Sequence, residues 1–205
     1  YMTLNGNQIG VLLCEYILRN KKLKGTLPSN GAVIKTIVTT DMVKAVAKEY
    51  GIKVYDVLTG FKFIGEQIGF LEEKGEENRY IFGFEESYGY LSGAYVRDKD
   101  AVNASMLICE MAAYYRTQGI SLLEARENMY KKYGMFYQTL YSFTFEGESG
   151  MNKMDEIMTT LRNNPPTAIA GVPVVKFDDY KASTSKDIAS GEVTELTLPK
   201  SNVLA

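Results

Sequence analysis

Three strand-like runs, at residues 32–38, 53–58 and 79–84, alternate with helical patterns, and this alternation constrains the fold more than any other feature of the chain. An apolar run that ends in a turn and is followed by apolar residues at three- and four-residue spacing reads as a strand feeding a helix. The first helical pattern covers residues 7–22, with Ile9, Leu12, Leu13, Tyr16 and Ile17 on one face and Gly25 beyond its basic end. The turn Pro28-Ser29-Asn30-Gly31 leads into the first strand. Thr40 then stands ready to cap a second helix, whose apolar face is Met42, Val43, Val46, Ala47 and Tyr50 and whose stop is Gly51. Thr59-Gly60-Phe61-Lys62 opens a third helix that reaches residue 73, and a polar loop after the third strand precedes a long helix over residues 99–118. The pattern predicts a layered αβα domain around a mainly parallel, mixed sheet.

Beyond Gly119 the alternation lapses. Ser121-Leu122-Leu123-Glu124 is a capping-box signature for a helix ending near Tyr133-Gly134. An aromatic-rich strand is expected over residues 136–145, then a turn at 146–150 and a helix through residue 161. In that helix Met151, Met154, Ile157, Met158 and Leu161 have the spacing of a core-packing face. Asn163-Asn164-Pro165-Pro166 breaks it. Residues 172–177 read as a further strand and 178–191 as polar loop. The chain therefore divides into residues 1–135, the αβα domain, and residues 136–205, the truncated α+β opening of a second, smaller domain.

Composition removes several classes of function. The 205 residues are 45% hydrophobic and 23% charged, enough to bury a real core, and the formal net charge of −2 leaves no basic stripe for nucleic acid. No apolar run approaches the roughly 20 residues that span a bilayer, and no basic segment with an apolar signal region opens the chain. The expected compartment is the cytoplasm, with no membrane or nucleic-acid partner. Cys14 and Cys109 both lie in helical apolar patterns and read as small core residues. There is no histidine, which excludes Ser-His-Asp and Cys-His catalysis and the common zinc sites.

The chemistry concentrates in Gly83-Phe84-Glu85-Glu86-Ser87-Tyr88-Gly89-Tyr90 and the following Arg97-Asp98-Lys99-Asp100. Open α/β sheets bind ligands where their strands end. Treated as a continuing strand, the segment alternates faces, so Glu85 and Ser87 project together toward a sugar diol and Glu86 projects away. Arg97 and Lys99 supply the donors and positive charge that a phosphate needs. Two other strand ends carry polar groups, Lys35-Thr36 with Thr39-Thr40, and Thr59-Gly60 with Lys62. Parallel strands would gather all three ends along one edge of the sheet. Acidic, hydroxyl and basic groups in one cleft suit a sugar phosphate.

Thr59-Gly60-Phe61-Lys62, Phe84-Glu85-Glu86-Ser87-Tyr88-Gly89 and Val96-Arg97-Asp98-Lys99-Asp100, in that order on alternating strands, resemble the third domain of the phosphoglucomutase and phosphomannomutase (α-D-phosphohexomutase) family. Leu4-Asn5-Gly6-Asn7-Gln8 before a Leu-rich helix is similar to the segment after the metal loop in its bacterial phosphoglucomutase branch. The resemblance implies a magnesium-dependent intramolecular phosphoryl transfer that interconverts hexose 1-phosphate and 6-phosphate, with a hexose 1,6-bisphosphate activator. It implies that Glu85 and Ser87 hydrogen-bond sugar hydroxyls and that Thr59 and Gly60 border the same sugar. Lys99, beside the Arg97 that the residue chemistry offers to a phosphate, would help to hold the substrate, and Lys35 would be a basic active-site residue.

The family's phosphoserine loop, its Asp-rich magnesium loop and its C-terminal phosphate loop have no counterpart in these residues. The resemblance thus implies a fragment, domain three with the opening of domain four, whose partners are the other domains of the same polypeptide. Such a fragment has no catalytic residue and no metal site of its own. Two alternatives share the same residues: a non-catalytic sugar-phosphate-binding module, and a phosphopentomutase of the same family. A dinucleotide-binding oxidoreductase is disfavoured, because the glycines between Gly83 and Gly93 lack the Gly-x-Gly-x-x-Gly spacing.

Overall fold

A computed structural model describes residues 2–205, which divide into two compact units, residues 2–138 and Thr139–Ala205. The division falls three residues beyond the boundary expected at residue 135.

In the first unit the elements run α1 (Gly6–Leu23), β1 (Ala32–Thr36), α2 (Met42–Glu49), β2 (Lys53–Val57), α3 (Phe61–Glu72), β3 (Tyr80–Phe84), β4 (Tyr90–Ser92), α4 (Ala101–Thr117) and α5 (Leu122–Tyr133). The sheet order is β2-β1-β3-β4; β1 pairs in parallel with both β2 and β3, and β4 pairs antiparallel with β3. Alternation along β1 sends Val33 into a core shared with α1, α2, α4 and α5, and Ile34 into a smaller one built on Phe61, Ile64 and Ile68 of α3. Each such buried aliphatic contributes about 1.5–3 kcal/mol over its exposed form. The result is the expected αβα sandwich with a mainly parallel sheet.

Two close approaches fix the sheet against its helices. A Cβ on Gly83 would lie 2.7 Å from Ile64 Cγ2 and 2.6 Å from the Tyr80 hydroxyl, so glycine lets α3 settle on β3. The register slips between Ala32 and Val33, which face Tyr80 and Phe82. Ile81 is the residue left over, and both Ile81 and Phe82 enter the larger core.

Several boundaries differ from those expected. β1 ends at Thr36, and α4 begins at Ala101 with Asp100 as its cap, so Lys99 precedes the helix. Asp41 holds the cap position of α2 without a side-chain bond, while the Met42 N–H reaches the Thr40 hydroxyl at 3.2 Å. The short antiparallel β4 was not expected; its three residues are too few to carry a periodic signal. Cys14 is buried as expected, whereas Cys109 is exposed on α4, and both are free thiols.

The second unit contains α6 (Gly147–Asn163), the hairpin β5 (Ala168–Ile169) and β6 (Val172–Pro173), and an antiparallel sheet of β7 (Lys176–Asp179), β8 (Thr184–Asp187) and β9 (Val193–Glu195). Arg162 of α6 is anchored on Asp179 of β7 at 3.0 Å and on Asn202 at 2.7 Å.

Sequence expectation fails most often in this unit. Residues 136–145 form no strand, because their aromatic, β-favouring residues find no ladder partner among the described residues. The glycine-rich stretch at 146–150 is the first turn of α6, closed by Gly150 N–H to Glu146 O at 3.2 Å. The expected strand over 172–177 is divided after Pro173, which lacks an amide hydrogen. Residues 178–191 hold the end of β7 and all of β8, a hairpin whose polar residues conceal its pairing. Met151, Met154, Ile157 and Leu161 are exposed and do not pack a core in this chain.

Candidate ligand crevice

The connection after β1 runs to β2 on one side of the sheet, and the hairpin after β3 runs to β4 on the other. Between adjacent β1 and β3 the chain therefore diverges, and a crevice opens at the carboxyl ends of those strands. Thr36 and Thr39 enter it from the end of β1, and Glu85 and Glu86 from the end of β3. The loop before α3 brings Gly60 alongside.

Residues 85–89 do not continue β3. They form a turn closed by Glu85 N–H to Gly89 O at 2.8 Å, so strand alternation does not govern Glu85, Glu86 and Ser87. Glu85 is buried; its Oε1 accepts the Gly60 N–H at 3.1 Å and its Oε2 stands 3.6 Å from Lys99 Nζ. Glu86 points to different partners, its Oε2 accepting from Thr39 Oγ1 at 3.0 Å and from Thr36 Oγ1 at 3.4 Å. Ser87 and Thr59 are exposed on their loops.

The turn is tightly seated. A Cβ on Gly89 would lie 2.9 Å from Glu85 Oε2, and one on Gly6 would lie 1.9 Å from the Glu86 carbonyl oxygen. Tyr88 takes the left-handed conformation at φ 67°, which costs a non-glycine residue about 1 kcal/mol or more. Gly60 precedes α3 at φ 120°, a region that favours glycine. The start of α1 braces the loops: Asn5 and Gln8 form a capping box, Tyr90 donates to Gly6 O at 2.9 Å, and Asn7 Oδ1 accepts the Thr40 N–H at 3.0 Å.

Lys99 is half-exposed, its ammonium near Glu85 and 5.5 Å from the centre of the Phe61 ring. Arg97 is taken elsewhere. Its guanidinium pairs with Glu72 and donates to Ala94 O at 2.6 Å, while its backbone packs on Gly65. Glu72 closes α3, about 16 Å along the helix from the Gly60 end. The structure thus separates Arg97 from Lys99, because its fork is matched by a carboxylate on a different element.

Lys35 is also withdrawn from the crevice. The side chain is 1% exposed, and Nζ donates to the Thr39 and Thr36 carbonyls at 2.9 and 3.1 Å. It pairs as well with Asp41 at 3.0 Å and Asp56 at 2.9 Å, both shared with Lys44. An ammonium has three hydrogens, so none remains for a ligand. Burial works to raise the Asp41 carboxyl, but Lys44 and Lys35 outweigh it and hold it below the ordinary carboxylate range. A carboxylate lowered in the fold stabilises above its unfolded pKa and loses that contribution as pH falls through its folded pKa. Asp41→Asn is accordingly expected to lose less stability than wild type between neutral pH and about pH 3. Urea titrations at several pH values would measure it, and parallel curves would remove Asp41 from the acid response.

These carboxylates do not form a magnesium cradle. Asp41 and Asp56 already face two ammonium groups, and among the described residues no three acidic or cysteine side chains converge to hold an ion. A cavity of about 330 Å³ is lined by apolar Val11, Leu12, Met129, Tyr130, Met135 and Phe136 and by polar groups that include Asn7 and Thr40, which also brace the crevice loops. Its apolar wall suits a charged sugar phosphate less well than the crevice does.

Sequence reasoning missed Glu86 and Asn7 as organising groups. Both lie inside the motifs, Asn7 in Leu4-Asn5-Gly6-Asn7-Gln8 and Glu86 in Phe84-Glu85-Glu86-Ser87-Tyr88-Gly89, but nothing local there marks their distant partners.

The fold and crevice define a doubly covered α/β domain with polar groups gathered at its strand ends. The family model for phosphoglucomutase/phosphomannomutase, alpha/beta/alpha domain III, matches residues 5–133. A phosphoglucomutase of Staphylococcus epidermidis is 39% identical over 98% of this chain and 35% of its own length. One from Staphylococcus aureus is 39% identical over the same shares, 98% and 35%. The crystal structure of the exocytosis-sensitive phosphoprotein parafusin (phosphoglucomutase) from Paramecium, in its open form, shares the fold with a TM-score of 0.59 at 20% identity, over 95% of this chain and 31% of that one. The chain belongs to the phosphoglucomutase/phosphomannomutase family, and it spans about a third of the length of the curated relatives it matches.

Proposed function

We propose that residues 1–135 are the sugar-recognition domain of a phosphohexomutase and that residues 136–205 begin its C-terminal phosphate-binding domain. The full-length protein interconverts hexose 1-phosphate and 6-phosphate by intramolecular phosphoryl transfer, with the phosphoryl carrier and the magnesium ligands on domains outside this chain. One observation carries the reading: a buried carboxylate, Glu85, is held at a strand-end crevice by a backbone amide and an exposed ammonium. A carboxylate fixed in this way accepts hydrogen bonds from sugar hydroxyls without reorganising. Ser87 adds a hydroxyl to the same turn, and Thr59 and Gly60 border it. Lys35 supports the crevice through its ion pairs, Arg97 is paired with Glu72 away from it, and neither touches the sugar phosphate. The substrate is a hexose phosphate, the other domains are partners within the same polypeptide, and the compartment is the cytoplasm.

Lys99 supplies the positive charge nearest Glu85, with its ammonium half-exposed. Lys99→Met in the full-length protein is expected to raise KM for glucose 1-phosphate several-fold and to weaken its dependence on salt, because an attractive charge is lost. Steady-state kinetics at two ionic strengths test this; unchanged kinetics would remove Lys99 from substrate binding. The 205-residue chain alone is expected to show no turnover. Absence of mutase activity in the full-length protein, assayed with magnesium, a 1,6-bisphosphate and glucose, mannose or pentose phosphates, would overturn the functional reading.

A further inference from the structure

We propose that Glu86 is a positioning residue: its carboxylate clamps the β1–α2 loop to the β3–β4 turn and so holds Glu85 against the Gly60 amide. Glu86 Oε2 accepts from Thr39 Oγ1 at 3.0 Å and Thr36 Oγ1 at 3.4 Å, and the two hydroxyls lie 2.8 Å apart. Residues 36 and 39 flank the bend after β1, so one carboxylate ties both sides of that bend to the neighbouring strand end. Its counterpart below is Lys35, which fills the Thr36 and Thr39 carbonyls at 3.1 and 2.9 Å. On the opposite side of Glu86 its carbonyl rests against Gly6, with space for no Cβ.

The turn is consequently gripped on two flanks. Glu86 fastens it toward β1, and Glu85 reaches the other way toward α3. The Glu86–Ser87 peptide that follows is crowded on one face by Gly6, and Tyr88 beyond it already occupies a strained conformation. With the Thr39 and Thr36 bonds removed, the turn can pivot and Glu85 loses its register with Gly60. Glu86 never meets the sugar in this account; it acts through its neighbour.

The test uses two readouts in parallel. In the 205-residue chain the Gly60 amide reports Glu85 directly, since it donates to Glu85 Oε1. Glu86→Ala is expected to speed exchange of the Gly60 amide at least tenfold, while core amides of Ile34 and Ile64 keep their protection. Glu86→Gln, whose amide oxygen still accepts from Thr39, restores slow exchange. Thr39→Val removes the same bond from the other side and reproduces the Glu86→Ala result if that variant folds poorly. Unchanged Gly60 exchange in Glu86→Ala, equal acceleration of the core amides, or no rescue by glutamine would each overturn the clamp.

The second readout rests on the proposed mutase activity. In the full-length protein Glu86→Ala is expected to lower kcat/KM for glucose 1-phosphate at least tenfold, and adding Thr39→Val to cost no more than twofold further. Fully additive losses would count against the clamp. Accelerated Gly60 exchange with unaltered kinetics would instead uphold the clamp and overturn the assignment of Glu85 to the sugar.

Discussion

Lys35→Met is expected to destabilise the α/β unit by about 3 kcal/mol, near the lower end of the range for breaking a buried ion pair. The substitution keeps most of the aliphatic stem but strips the ammonium from two carbonyls and two carboxylates. The lower end applies because Asp41 is 59% exposed, so water relieves part of the loss, and because Lys44 remains with both acids. Urea or thermal unfolding of the chain measures the effect. A residue that binds substrate from a solvated crevice would behave in the opposite way, leaving stability intact and moving only the kinetics. Stability within about 0.5 kcal/mol of wild type would therefore return Lys35 to the list of ligand-binding groups.

Glu85→Gln in the full-length protein is expected to cost roughly ten- to hundredfold in kcat/KM, since a hydrogen bond to a charged group is worth about 1.5–3 kcal/mol. Glutamine retains an acceptor for the Gly60 N–H, so the fold of the crevice persists and the loss falls on the charge presented to the sugar. Ser87→Ala removes one neutral hydrogen bond, about 0.5–1.5 kcal/mol, and is expected to cost several-fold. Kinetics of both variants under identical conditions order the two groups. A larger loss for Ser87→Ala would mean that the carboxylate serves Gly60 and Lys99 alone.

Much of the α/β unit was legible before the structure. Helix α5 begins at the Ser121 and Glu124 capping box the sequence displays, and α1, α2 and α3 lie within two residues of their apolar patterns. The motifs around Thr59, Glu85 and Lys99 were enough to identify the family. The second unit was far less legible. Its strands are two to four residues long, and β7, β8 and β9 are largely polar, so neither period nor hydrophobicity marks them.

The sequence by itself determined the helices and the three parallel strands of the first unit, that they alternate, and which loop carries the chemistry. Those features are written within windows of about ten residues, in periodicity, caps and turn glycines. The tertiary structure alone decided what each charged group does. Arg97 meets Glu72, Lys35 meets Asp56, and Glu86 meets Thr39 across separations of 21 to 47 residues. Glu85 and Glu86, adjacent in the chain, serve opposite flanks of one turn. Partners that far apart are joined by strand order and helix packing, and no local pattern records which acid will face which base.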